Sequence, residues 1–169
     1  MSSFSQTGIA GSMEIRIDFE ISKKWNNNVS QLDVPSLSKS DLHYHIFLGD
    51  LILIINDIDC SARWGWIPLL DLATALHDIR KNLAGVRRGS EIFEFTECEA
   101  AIHFERNESH IAISNHYPPQ CTQVISFEQF DKTVTAFCNK VFQESLNLIP
   151  ALESNAYYQE LRRLTVRHE

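Results

Sequence analysis

The sequence predicts an α+β fold, with helices packed on one face of a mainly antiparallel sheet. Strand patterns and helix patterns occur in separate blocks along the chain, and short turns join successive strand patterns. The length of 169 residues fits one domain with its own hydrophobic core. We therefore expect a single α+β domain over residues 13–169, with a sheet of about six strands, a crossover helix and two C-terminal helices on one face. Residues 1–12 are mostly small and polar, and we expect them to form a flexible N-terminal arm.

The first strand has the clearest pattern. Between residues 13 and 21, apolar residues alternate with charged ones, which is the period of a strand with one face on the core. Residues 22–40 are rich in Asn and Ser, which indicates a long loop or a few short turns. Two apolar runs then flank Gly49 and Asp50, so we predict a hairpin that turns at these two residues.

Three later segments have the three- and four-residue spacing of amphipathic helices. Residues 68–83 form the first, and the second, residues 127–148, follows Ser126 with a glutamine three positions on, a capping box. A final helix of about four turns follows Pro150. Between the first two helices, residues 91–125 predict three or four short strands in an antiparallel meander.

The charge balance excludes some partners and favours others. The chain has 15 Lys and Arg against 22 Asp and Glu, a formal net charge of −7. We expect no nucleic-acid partner, because phosphate neutralisation needs clustered basic residues, and a basic protein is the better electrostatic match. No apolar run approaches the roughly 20 residues of a membrane helix, so no membrane partner is expected. No phosphate-binding glycine loop occurs, and we expect no cofactor.

The four cysteines, Cys60, Cys98, Cys121 and Cys138, lie far apart in the chain and form no C-x-x-C pair. Free cysteines commonly behave as small core hydrophobes. No apolar signal-peptide core stands near the start of the chain. We therefore predict four buried free thiols in a reducing compartment.

Histidines and carboxylates raise the alternative of an enzyme. His43 and His45 would share one face of a predicted strand, and Asp57 and Asp59 would share a face where the next strand ends. Such groups can bind a divalent metal or transfer protons. In a thiol enzyme, Cys98 or Cys121 would act as a nucleophile beside one of the histidines His103, His110 and His116. No further ligand follows at a recognisable spacing. We therefore predict no metal site and no enzyme, with a metal-dependent or thiol enzyme as the alternative.

Partner recognition has more support in the sequence. Trp-Gly-Trp at 64–66 precedes the first predicted helix, and tryptophan supplies much of the energy of binding hot spots, although at least one of the two should cover the core. Residues 41–59 contain no Lys or Arg, and residues 91–108 contain six glutamates against one arginine. If these segments are neighbours, they form an acidic patch that steers a basic partner. The candidate partner-binding residues are Asp57, Asp59, Trp64, Trp66, Glu94, Glu97 and Glu99.

Residues 43–83 run from a strand ending in Gly-Asp, through a second apolar strand and an aromatic stretch, to a proline and an amphipathic helix. This order resembles small bacterial toxin-immunity proteins, including those of contact-dependent growth inhibition systems. The resemblance implies a cytoplasmic, non-enzymatic protein that neutralises one cognate toxin, often a nuclease. Binding residues diverge among immunity proteins, so the resemblance assigns no site residue. A subunit that assembles with itself through the tryptophans or the C-terminal helix is a further alternative, and the sequence leaves the oligomeric state open.

Overall fold

The computed structural model describes residues 14–26 and 29–166, and over these ranges it confirms the predicted α+β class. The strands are β1 Ile15–Ile21, β2 Leu48–Ile55, β3 Ile58–Asp59, β4 Ala62–Pro68, β5 Arg88–Glu94, β6 Ala101–Asn107, β7 His110–Asn115 and β8 Thr122–Ser126. The helices are α1 Lys23–Asn26, α2 Lys39–Tyr44, α3 Leu69–Ala84, α4 Phe127–Leu148 and α5 Ala156–Thr165. The predicted arm, residues 1–12, lies outside the described residues.

The strands form two four-stranded antiparallel sheets, which corrects the prediction of one sheet of about six strands. In the first sheet, β1 pairs along its whole length with β2, and the other edge of β2 pairs with β3 and β4. The second sheet is the meander β5-β6-β7-β8, as predicted. The count differs because β3 has only two residues and because Trp-Gly-Trp in β4 has no apolar–polar alternation.

The predicted first strand is confirmed, but the hairpin turn is misplaced. Gly49 and Asp50 lie inside β2, and the turn follows at Asn56 and Asp57, which have φ of 51° and 64°. Gly49 serves close packing instead of a turn, because a Cβ at this position would overlap the backbone carbonyl of Glu20 on β1.

The histidines at 43 and 45 lie at a helix, not on the strand that the sequence predicted. Ser38 begins α2 through a capping box, in which its hydroxyl accepts from the N–H of Asp41 and the Asp41 carboxylate accepts from the N–H of Ser38. The predicted loop region, residues 22–40, contains α1, two short 3-10 turns, Val29–Gln31 and Val34–Ser36, and the first two residues of α2.

Helices α3 and α4 pack together and connect the two sheets. Their predicted ranges agree with the structure within one residue, and the Ser126 hydroxyl caps α4 by accepting from the N–H of Gln129 at 3.2 Å. Helix α3 contacts β5 and α4 contacts β1, so the apolar faces of both helices share one core with both sheets. Helix α5 packs on the preceding 3-10 turn, Pro150–Ser154, and on α2, α3 and α4, which corrects the expectation that both C-terminal helices cover a sheet.

Candidate partner-binding surface

Trp64 and Trp66 form a stacked pair on β4. They are two positions apart in a strand, so their side chains point to the same face. The ring centroids lie 5.2 Å apart, and the planes make an angle of 17°. Gly65 between them has a φ of 77°, and its N–H donates to the Asp50 carboxylate at 2.6 Å. The strand therefore aligns the two indoles into one continuous apolar surface.

Trp64 also connects the two sheets. Its ring makes edge-to-face contacts with Phe95, 4.8 Å away, and with Tyr117, 5.2 Å away. Phe95 follows β5 and contacts Phe93 at 4.9 Å, and Tyr117 follows β7. We call Trp64, Trp66, Phe93, Phe95 and Tyr117 the aromatic cluster. Both tryptophans are half-buried and pack against the core, so part of each ring stays accessible to a partner.

Asp57 and Asp59 lie at the end of the first sheet, but they do not share a strand face as predicted. Asp57 occupies the turn before β3 and Asp59 ends β3, and both are exposed. Asp59 accepts from the N–H of Ser61 at 3.0 Å and pairs with Arg63 at 2.9 Å. Hydrogen bonds from Ser61, assisted by Arg63, hold the pKa of Asp59 below its usual value, so this carboxylate is ionised at neutral pH.

Glu94, Glu97 and Glu99 lie at the end of β5 and directly after it. Glu94 is the last residue of the strand, the other two lie in the connection to β6, and all three are exposed. Within residues 14–26 and 29–166, no basic side chain forms an ion pair with these glutamates or with Asp57. Their charges are therefore not neutralised by contacts within this part of the molecule.

The aromatic cluster relates the two acidic segments in space. Phe95, which touches Trp64, stands between Glu94 and Glu97 in the chain. The Tyr117 ring lies 5.8 Å from Phe95, and its hydroxyl donates to the carbonyl of Cys60, the residue after Asp59 on the first sheet. Burial, and secondly the charge of Asp59, raise the pKa of this hydroxyl. Both acidic segments therefore adjoin the same cluster. Among the described residues, no hydrogen bond links the two segments directly.

Two cysteines at this junction correct the prediction of four buried free thiols. Cys60, between β3 and β4, forms a disulfide with Cys121, which directly precedes β8. Cys98 is free but exposed. Only Cys138 agrees with the prediction: it is buried and free, and burial raises its pKa to about 12. The disulfide partners are 61 residues apart in sequence, so no local spacing indicated the pair.

A polar network holds the chain on either side of this disulfide. The Tyr117 hydroxyl donates to the backbone carbonyl of Cys60 at 2.7 Å. The Asn115 amide donates to the carbonyls of Tyr117 and Pro119, each at 2.9 Å, and its oxygen accepts from the N–H of Cys121 at 2.7 Å. Asn115, Phe95 and Tyr117 were absent from the sequence-based candidates, because a polar or aromatic residue near a strand end carries no specific signal of such a contact.

The proposed metal-binding or proton-transfer set does not assemble. His43 and His45 precede β2 whereas Asp57 and Asp59 follow it, and an eight-residue strand spans roughly 25 Å. His43 instead places its Nδ1 atom 3.2 Å from a carboxylate oxygen of Asp71 on α3. Within the described ranges, no group of three or more His, Cys, Asp or Glu is arranged to hold a metal ion.

The cysteines of the thiol alternative are also placed by the structure. Cys121 is in the disulfide and carries no free thiol, and no hydrogen bond among the described residues joins Cys98 to a histidine. The rings of His103 and His116 lie 4.3 Å apart on the second sheet.

Comparison of the chain with known protein families, with curated proteins and with solved structures finds no match. In the part of the chain that the structure describes, no helix is both long enough and apolar enough to cross a membrane.

Proposed function

We propose that this chain is a non-enzymatic bacterial immunity protein that binds and neutralises a cognate toxin in the cytoplasm. The binding surface consists of the stacked tryptophans of the aromatic cluster and the acidic residues beside it, Asp57, Asp59, Glu94, Glu97 and Glu99. The partner is a basic protein, most simply a nuclease toxin domain, because a nuclease needs a basic cleft for phosphate.

The observation that carries the proposal is that the aromatic cluster, with its tryptophan pair, adjoins both acidic segments. Trp64 and Trp66 stack on each other along β4 and present a large, rigid apolar area. Because the rings are already held in place, binding a partner costs them little conformational entropy. The neighbouring carboxylates are exposed, and most have no basic partner within the described chain. Apolar contact area surrounded by unneutralised charge is a common arrangement at protein interfaces, where the charges steer association.

The test is binding to the toxin domain encoded directly upstream of this gene. We expect a one-to-one complex whose affinity falls as salt rises, and protection of cells that express the toxin. The variant Trp64→Ala/Trp66→Ala should weaken binding by at least about 2 kcal/mol. The variant Glu94→Gln/Glu97→Gln/Glu99→Gln should slow association and reduce the salt dependence.

A matched control has the same change in net charge at exposed positions elsewhere, Glu20→Gln/Glu128→Gln/Glu160→Gln. This control should bind as the wild-type protein does. If the wild-type protein neither binds the toxin nor protects cells, the proposed function is wrong. If both charge variants behave alike, net charge governs association and the assignment of this surface is wrong.

A further inference from the structure

We infer that Cys60 and Cys121 form a thiol–disulfide switch that sets the rigidity of the aromatic cluster and, through it, the affinity for the partner. The effect on affinity rests on the proposed function. The effect on the cluster is a property of the isolated chain and is tested without any partner.

The position of the disulfide links it to both halves of the binding surface. Cys60 lies four residues before Trp64, and its carbonyl accepts the hydrogen bond from Tyr117. Cys121 belongs to the second sheet, where its N–H is held by Asn115. The bond therefore joins the strand that carries the tryptophans to the segment that carries Tyr117, directly beside the contact between Trp64 and Tyr117.

Reduction would leave the junction with noncovalent contacts alone. These include the Tyr117 hydrogen bond and the Asn56 amide, which donates to the Gln123 side chain at 3.2 Å and to the Val124 carbonyl at 3.3 Å. Apart from Cys60 and Cys121, the core that α3 and α4 share with both sheets is held by noncovalent apolar contacts. We therefore expect the reduced chain to remain folded and to open more often at this junction.

The exchange reaction needs a dithiol reductant of the thioredoxin class. Cys121 is half-buried whereas Cys60 is 1% exposed, so the incoming thiolate attacks the sulfur of Cys121 and expels Cys60 as a thiolate, which takes a proton. The second thiol of the reductant then cleaves the mixed disulfide and releases Cys121 as a thiol. The reductant leaves as its own disulfide, and two electrons have passed to the protein. Disulfides of cytosolic proteins are commonly transient and redox-sensing, which agrees with the proposed compartment.

The test compares the oxidised and the dithiothreitol-reduced protein in a Trp25→Phe background, so that fluorescence comes from Trp64 and Trp66 alone. Acrylamide, a neutral quencher, should quench the reduced form more strongly. Hydrogen exchange of residues 60–66 and 115–123 should become at least about tenfold faster on reduction, with α4 unchanged. The double variant Cys60→Ala/Cys121→Ala should match the reduced form under both conditions, and Cys121→Ala serves if the double variant does not fold. Cys98→Ser, which removes an exposed free thiol, should respond as the wild-type protein does.

Three results would overturn the inference: equal quenching and exchange in the two redox forms, loss of protection throughout α4 on reduction, or four titratable thiols in protein purified without reductant and then denatured. With the toxin domain present, we expect the reduced form to bind about tenfold more weakly, because it must order the junction on binding. Equal affinity of the two forms would refute the regulation and leave the proposed function intact. If neither form binds, the proposed function fails, while quenching and exchange still decide whether the cluster responds to reduction.

Discussion

Replacing Tyr117 with phenylalanine removes one hydroxyl from the junction of the two sheets and little else. The side chain is 5% exposed, and its hydroxyl donates to the Cys60 carbonyl at 2.7 Å. The ring contacts with Trp64 and Phe95 do not involve the hydroxyl, so a phenylalanine keeps them. The substitution therefore isolates the hydrogen bond from the aromatic packing.

The expected cost follows from that single bond. A buried hydrogen bond contributes about 1 kcal/mol net to stability, and the Cys60 carbonyl, which loses a donor, adds to the loss. The free energy of unfolding should therefore decrease by about 1–2 kcal/mol. For a chain of this size, 1 kcal/mol shifts the melting temperature by about 2–4 °C, so the variant should melt roughly 2–8 °C lower.

Urea unfolding followed by circular dichroism measures this change, with the midpoint lowered and the slope unchanged. Tyr157→Phe is the matched control, because Tyr157 is 52% exposed and the same atom is removed. The control should stay within about 0.5 kcal/mol of the wild-type protein. Equal stability of the two variants would refute the view that Tyr117 stabilises the sheet junction through Cys60.

Four further substitutions have effects on stability whose direction follows from the structure. Gly49→Ala should lower the free energy of unfolding by about 1–3 kcal/mol through overlap with the β1 backbone. Gly85 has a φ of −79°, and an added Cβ would approach no atom closer than 3.6 Å, so Gly85→Ala should raise the free energy of unfolding by about 0.4–1 kcal/mol in the same urea assay. Asp131→Ala should cost about 2–3 kcal/mol in thermal unfolding, because Arg80, 2% exposed, would lose its ion-pair partner at 2.8 Å. Burial raises the pKa of Tyr158 to about 12, so the folded state keeps a proton that the unfolded chain loses above about pH 10. The free energy of unfolding should therefore fall by about 1.4 kcal/mol per pH unit between about pH 10 and pH 12. Tyr158→Phe should abolish this part of the pH dependence.

Elements with a long unbroken period were predicted correctly from the sequence. The alternation of β1 and the helical spacing of α3 and α4 each extend over several repeats, and each segment buries the face that its pattern indicates. The misplaced hairpin turn arose because one residue supported two explanations. Gly49 was interpreted as a turn, because glycine tolerates positive φ, but its role is to admit the neighbouring strand.

The sequence indicated some residues of the candidate surface, and their role in binding stays a prediction. We named the tryptophans and the acidic residues as candidates because they stand out in composition, and in the structure both acidic segments adjoin residues of the aromatic cluster. The contacts that relate them were missed, since Tyr117, Asn115 and the Cys60–Cys121 bond depend on two sheets meeting across distant parts of the chain. Such long-range contacts follow from the packing of whole elements and have no local pattern.

The two parts of the proposed surface make different demands on rigidity. Charges act on a partner over about 10 Å at moderate salt, so glutamates in an exposed connection can steer it without a fixed geometry. Stacked tryptophans contribute only in contact, and β4 and Tyr117 hold them in place. Loosening the junction by Cys60→Ala/Cys121→Ala should therefore raise the dissociation rate of the toxin complex and leave its association rate and salt dependence unchanged. The variant Glu94→Gln/Glu97→Gln/Glu99→Gln should lower the association rate and its salt dependence and leave the dissociation rate unchanged. Rapid-mixing kinetics at two salt concentrations separates these effects, and a slower association rate in the cysteine variant would contradict the division of roles.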